Sequence, residues 1–251
     1  MCNGDEPLIA EGLKEVATHK PDSFQKTTFG LDKSNDEFPV NMTFTSESVI
    51  FTTYQATCQG KEQSYHLPLL GQHNVVNCLA ALIVARHYGV TEDNIVQGLV
   101  SLQLTGMRIE IIACDNGVTI LNDAYNASPT SMKAAIDVLQ NMNGYHKKIA
   151  ILGDMLELGA QEQQFHMEIG RLLNQSKIDY LFTIGDLGKC IAAGARERLD
   201  ENNIYAYTNK VELAHKLEEM LSPNDVVLVK ASRGMALEKV VEQIKQMTIQ
   251  S

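Results

Sequence analysis

The spacing of apolar positions changes character three times along this chain. After Asp5-Glu6-Pro7, the residues Leu8, Ile9, Leu13, Val16 and Ala17 recur at helical intervals and predict an amphipathic helix. Val40, Met42 and Phe44 then alternate with polar neighbours. Val49, Phe51 and Tyr54 follow beyond Thr45-Ser46-Glu47-Ser48, so the pair predicts an antiparallel hairpin. A second turn at Gln59-Gly60-Lys61 leads back through Tyr65, Leu67 and Leu69. Past Gly71, the residues Val75, Val76, Leu79, Leu82, Ile83 and Ala85 cover nearly the whole circumference of a helix, which predicts burial on all sides. A shorter helix over about 92–102 follows.

From about residue 107 a single rhythm persists. Apolar strand candidates near 118–122, 148–152, 180–184, 203–207 and 225–229 alternate with helical stretches. Such alternation predicts right-handed βαβ units and a doubly wound, mostly parallel α/β sheet. The expected boundary lies near Thr105-Gly106-Met107 and divides the chain into residues 1–106 and 107–251. In open sheets of this kind, ligands meet the loops beyond the carboxyl ends of the strands. Those loops hold Asp123-Ala124-Tyr125-Asn126, Gly153-Asp154-Met155-Leu156-Glu157, Gly185-Asp186 and Lys230-Ala231-Ser232-Arg233. Met142-Asn143-Gly144, at the opposite edge, is generic by comparison.

Composition removes several function classes. With 44% hydrophobic and 21% charged residues, the 251-residue chain has the balance of a soluble protein with a real core. No stretch approaches the ~20 apolar residues of a membrane span. The opening Met1-Cys2-Asn3-Gly4-Asp5-Glu6 lacks the basic and apolar runs of a signal peptide, so a cytoplasmic location is expected. A net charge of −10, without a sizeable Lys/Arg cluster, argues against nonspecific nucleic-acid binding. Five widely spaced cysteines without a CxxC pair argue against a disulfide framework or a structural zinc site. Cys78, inside an apolar helical run, reads as a small core residue.

Three segments carry candidate chemistry. Gly71-Gln72-His73-Asn74-Val75-Val76-Asn77 opens a helix. Its glycine admits close backbone approach, and Asn74 and Asn77 share a face on which two amides could read one purine edge. An ordinary helix cap fits those residues equally well. Gly106-Met107-Arg108 places a permanent cation suited to phosphate at the expected joint, although pairing with Glu110 or Asp115 on the surface is the commoner fate of such an arginine. Asn122-Asp123-Ala124-Tyr125-Asn126-Ala127-Ser128-Pro129 sets a carboxylate at a strand end, for a ribose hydroxyl, and a ring and an amide for a base. The same residues also read as a turn before a Ser-capped helix with Pro129 in its first turn.

Taken together, Gly71-x-His73-Asn74-x-x-Asn77, Gly106-Met107-Arg108 and Asp123-Ala124-Tyr125-Asn126-Ala127-Ser128-Pro129-x-Ser131-Met132 resemble the Mur ligase family. So do Leu152-Gly153-Asp154-Met155-Leu156-Glu157-Leu158-Gly159, Val229-Lys230-Ala231-Ser232-Arg233 and the opening Asn3-Gly4-Asp5-Glu6-Pro7. The Tyr125-Asn126 loop directs the resemblance to the D-alanyl-D-alanine-adding members. It departs from the family pattern at Ser128, usually Asn, and at Ala231, usually Gly. No GxxxxGK[ST] occurs in the 251 residues, so the phosphate-cradling loop expected of the family is not among them. The resemblance therefore implies the C-terminal part of a central ATPase domain followed by a Rossmann-like domain. The sugar-nucleotide domain and the magnesium ligands are expected upstream, and the chain by itself is expected to be inactive.

The activity so implied is ATP-dependent amide bond formation through an acyl phosphate, adding D-Ala-D-Ala to UDP-N-acetylmuramoyl-tripeptide for peptidoglycan. ATP and Mg²⁺ are the implied cofactors, small molecules the implied partners and a monomer the implied state. His73, Asn74, Asn77, Arg108, Asp123, Tyr125 and Asn126 are the implied nucleotide residues. Asp154, Glu157, Lys230, Ser232 and Arg233 are implied for the amine substrate or the intermediate, and Arg108 and Lys230 for catalysis. Three other readings stand beside this one. A dehydrogenase would need GxGxxG, which Gly153–Gly159 does not provide. A folylpolyglutamate-synthase-like ligase should not carry the Tyr125-Asn126 loop. A non-catalytic nucleotide-binding or scaffold protein built from the same two domains is the stronger rival.

Overall fold

The computed structural model describes residues 1–17, 26–45, 48–55, 61–102 and 106–249. The tips of both expected turns, at Ser46-Glu47 and Gln59-Gly60, lie outside the described residues, as do Cys58 and Thr105. The chain divides into two compact units, Met1–Gln103 and Leu104–Ser251.

In the first unit one sheet runs in chain order through β1 (Cys2–Asn3), β2 (Thr28–Phe29), β3 (Glu37–Phe44), β4 (Val49–Gln55) and β5 (Lys61–Leu67). The expected antiparallel pairings of β3 with β4 and of β4 with β5 are present, and β1 and β2 add in parallel. Among the described residues three helices accompany the sheet: α1 (Pro7–Ala17), α2 (Gln72–His87) and α3 (Glu92–Val100). Val49, Phe51, Tyr65 and Leu67 form a core with Val75, Cys78, Leu79 and Leu82 of α2. Burial pushes the Cys78 thiol up to about 12, in keeping with a packing role.

Several inward positions differ from expectation. The β3–β4 register slips between Pro39 and Asn41, a bulge that changes which side chains face in, and Val40 and Phe44 are exposed. Tyr54 lies one residue past buried Thr53 and so points to the opposite face from Phe51. Helix α2 is buried along one face only, because the sheet covers one side and Val84 remains 42% exposed. Helix α1 forms as expected, but Leu8 and Ile9 are not buried.

The second unit is a six-stranded sheet of β6 (Glu110–Ala113), β7 (Thr119–Asp123), β8 (Lys148–Gly153), β9 (Tyr180–Ile184), β10 (Ile204–Tyr207) and β11 (Val226–Lys230). Its spatial order is β10-β9-β8-β11-β7-β6. The five expected strands are all there and all parallel. Edge strand β6 was not expected, and it runs antiparallel to β7. The helices are α4 (Pro129–Asn141), α5 (Glu162–Arg171), α6 (Gly188–Ala195), α7 (Lys210–Met220) and α8 (Glu238–Gln246).

Alternate strand residues face opposite helical layers. Ile149, Ile151, Val227 and Val229 cluster with Leu213 and Leu217 of α7 and with Val240, Val241 and Ile244 of α8. The intervening Ala150, Leu152 and Leu228 are buried as well, on the side of α4, α5 and α6. Cover on both faces explains why these strands read as unbroken apolar runs. The chain leaves β8 toward β9 and β10, then returns to insert β11 between β8 and β7. The carboxyl ends of β8 and β11 are thus neighbours whose following helices lie on opposite faces, which is where open α/β sheets bind ligands. Among the described residues no helix is long and apolar enough to cross a membrane.

Candidate functional site

Register brings the second unit's polar loops together. Lys230, the last residue of β11, is paired with Asp123, the last of β7, and with Leu152 of β8 on its other side. Lys230 is 1% exposed, with Nζ 2.5 Å from Asp123 Oδ2 and donating to the Asn126 carbonyl at 3.0 Å. Burial pushes the ammonium's pKa down, and the Asp123 carboxylate pulls it back up. The other Asp123 oxygen accepts the Ile109 N–H at 3.1 Å. The Lys230 side chain thus bridges two strand ends.

The loop after β8 is held just as firmly. Asp154 is buried, and its Oδ1 accepts the Gly188 N–H at 2.7 Å, at the start of α6. Burial raises its pKa, opposed by backbone N–H groups of Gly188, Leu187 and Asp186. Gly185 sits at φ 112, and a Cβ there would collide with that carboxylate, so glycine is required. Ser232 Oγ accepts the Leu156 N–H at 2.9 Å, and the Ser232 N–H donates to the Asp154 carbonyl at 3.0 Å. His166 of α5, fully buried, accepts the Met155 N–H at 2.8 Å on Nε2, while its Nδ1 lies 2.6 Å from the Glu162 carbonyl. Nδ1 therefore carries the proton. Sequence reasoning missed His166, because a lone histidine in an amphipathic helix carries no distinguishing signal. Of the residues expected to face an amine substrate, Asp154, Lys230 and Ser232 serve this internal scaffold, whereas Glu157 and Arg233 are exposed.

Arg108 does not take the surface pairing weighed above. Glu110 Oε2 instead accepts the Met107 N–H and the Asn122 side-chain amide, and the Arg108 guanidinium lies 4.7 Å from the Tyr125 ring centroid. Met107 and Ile109 adopt φ of 66° and 50°, strained values for such side chains. The Met107 carbonyl accepts the Tyr125 N–H at 3.2 Å, which helps hold that strain. Tyr125 and Asn126 are exposed. Ser128 caps α4 in a capping box with Ser131, with Pro129 in the first turn, as expected.

In the first unit, Gly71 occupies the N-cap of α2 at φ 93 without a side-chain cap. Asn74 is therefore not the cap, and its Nδ2 donates to the Leu70 carbonyl at 2.8 Å. Asn77 is exposed, and His73 and Asn74 are half-buried. A network that sequence reasoning missed ties this unit: Arg86 binds Glu37 and Glu92 at 2.6 Å each, and Glu92 accepts the Tyr65 hydroxyl at 2.6 Å.

Comparison with known proteins follows the same two units. The Mur ligase middle domain model matches residues 1–85, and the model described as Mur ligase, glutamate ligase domain, matches residues 107–233. The UDP-N-acetylmuramoyl-tripeptide–D-alanyl-D-alanine ligase of Bacillus subtilis (strain 168) is 41% identical over 241 residues, 96% of this chain and 50% of that protein. Among solved structures, MurF from Acinetobacter baumannii superposes with a TM-score of 0.79 at 28% identity, over 94% of this chain and 49% of that one. MurF ligase from Thermotoga maritima, in complex with ADP, gives 0.77 at 26% identity, over 95% of this chain and 52% of that one. The chain spans about half the length of the curated relatives it matches.

Proposed function

The chain belongs to the Mur ligase family, and on that premise we propose that the protein uses ATP to join D-alanyl-D-alanine to a UDP-N-acetylmuramoyl-tripeptide. The observation that carries this reading is the Asp123–Met132 segment at the end of β7, where the family resemblance is most specific to D-alanyl-D-alanine-adding members. In the proposed reaction a tripeptide carboxylate oxygen takes the γ-phosphoryl group of ATP and ADP departs. The dipeptide amine then attacks the acyl carbon and phosphate leaves. Such chemistry depends on positioning and charge neutralisation.

The proposed domains are residues 1–106, the C-terminal part of the ATP-binding domain, and 107–251, the Rossmann-like domain. Asn74, Asn77 and His73 would contribute to the adenine side, and Asp123 to the ribose, its carboxylate already oriented by Lys230 and the Ile109 N–H. Arg108 would reach phosphate, beside Tyr125 and Asn126. Glu157 and Arg233, which are exposed, are better placed for contact with the amine substrate or intermediate than Asp154, Lys230 and Ser232. Mg²⁺ would neutralise phosphate charge; among the described residues no three His, Cys, Asp or Glu side chains gather as a metal site, so it is assigned no ligand here. A cytoplasmic monomer completes the proposal.

The test is a hybrid in which the N-terminal half of the Bacillus subtilis relative precedes this chain. It should release phosphate only when ATP, tripeptide and D-Ala-D-Ala are all present. The 251-residue chain alone, without a GxxxxGK[ST] loop, should release none. A folded, ATP-binding hybrid that never depends on D-Ala-D-Ala would overturn the substrate assignment. Release by the chain alone would overturn the assignment of phosphate gripping to the other half.

A further inference from the structure

Two arginines from distant parts of the second unit meet on one tyrosine. The guanidinium carbons of Arg108 and Arg233 lie 4.7 and 5.1 Å from the Tyr125 ring centroid, so they are no farther apart than those two distances combined. Both are exposed, and neither has a carboxylate within ion-pair distance among the described residues. Arg86, Arg171 and Arg196, by contrast, each have an acidic partner.

The chain around Arg108 and Tyr125 is held by hydrogen bonds. The Tyr125 N–H is bonded to Met107, Ile109 to Asp123, and Lys230 to both Asp123 and Asn126. Strained φ values at Met107 and Ile109 flank Arg108 on both sides. Two planar guanidinium forks beside one ring present donors suited to a tetrahedral oxyanion, and an anion reaching both would offset their charge.

We infer that Arg108, Tyr125 and Arg233 form a clamp for a phosphoryl group, with Arg233 in the same subsite as Arg108. This rests on the proposed ligase reading. The phosphoryl group could be the end of a nucleotide or the acyl phosphate formed from it, and the clamp reads the chemistry these share. Both cations lie within cation–π range of the Tyr125 ring, which favours their staying beside it.

The experiment is an NMR titration of the 251-residue chain with inorganic pyrophosphate, following the arginine Nε–Hε resonances, with sodium chloride at matched ionic strength as reference. Arg108 and Arg233 should move together along one binding curve. Arg233→Gln should weaken pyrophosphate about two- to fivefold, the worth of one exposed ion pair, whereas Arg171→Gln should change nothing. ADP moving both resonances where adenosine moves neither would assign the nucleotide as the source. Acetyl phosphate moving both, with ADP silent, would assign the acyl phosphate. Chloride reproducing the shifts, movement of Arg108 alone, or an unchanged affinity in Arg233→Gln would each overturn the clamp. Because the hybrid's ligase activity is measured separately, an active hybrid with an indifferent Arg233 would sink the clamp and leave the ligase reading standing.

Discussion

At the scale of single residues, the question is how a lysine with 1% of its surface exposed keeps its place. Desolvation disfavours its charge, and the Asp123 carboxylate at 2.5 Å and the Asn126 carbonyl at 3.0 Å offset that. Removing one partner strands the other in a buried position. Lys230→Ala is therefore expected to lower unfolding free energy by about 3–5 kcal/mol. Lys230→Met combined with Asp123→Asn should lose clearly less than the sum of the two single changes, since each single change strands a buried charge and the double change strands none. Urea unfolding of the four proteins measures this, and strict additivity would rule out the coupling. Asp123 was legible in the sequence as a carboxylate at a strand end. Its partner was not, because 107 positions separate the two and only the β7–β11 register brings them level.

Elements are fixed by interactions that local pattern reveals unevenly. The start of α4 was readable because Ser128 and Pro129 are cap chemistry written in adjacent residues. The joining of α2, α3, β3 and β5 was not, because Arg86, Glu37, Glu92 and Tyr65 are scattered along the chain and the three charged ones read as surface residues by type. Burial raises the Glu37 pKa despite Arg86. For Glu92, burial also raises it, but the bonds from Arg86 and Tyr65 outweigh that and leave it below its usual 4.5. A carboxylate with a depressed folded pKa stabilises above its unfolded pKa and loses that contribution as pH falls through the folded one. The stability gap between the native chain and Glu92→Gln should therefore be full at pH 6 and shrink steadily below about pH 4.5. Denaturant midpoints at pH 6, 4 and 3 test this, and a gap that widens on acidification would reverse the sign.

For the whole molecule, the second unit was the more legible because a parallel sheet covered on both faces writes each strand as a continuous apolar run. Its antiparallel edge strand β6 escaped, since it has four residues, none of them buried, and its Ile111-Ile112-Ala113 run is short. The same strand bears on where the unit begins. Residues 107–109 are bonded into it: the Met107 carbonyl accepts from Tyr125, the Met107 N–H donates to Glu110, and the Ile109 N–H donates to Asp123. A protein of residues 107–251 should therefore be soluble and unfold in one cooperative transition, with coincident curves from circular dichroism and tyrosine fluorescence. Starting at residue 110 instead removes one donor to the buried Asp123 carboxylate, the Ile109 N–H, and losing a bond to a buried charged acceptor costs about 1–3 kcal/mol. The shorter protein should thus fold with a distinctly lower midpoint and an unchanged denaturant slope. Two proteins of equal stability would show that residues 107–109 are not part of this unit. Aggregation of residues 107–251 under conditions where the 251-residue chain stays folded would place the boundary elsewhere.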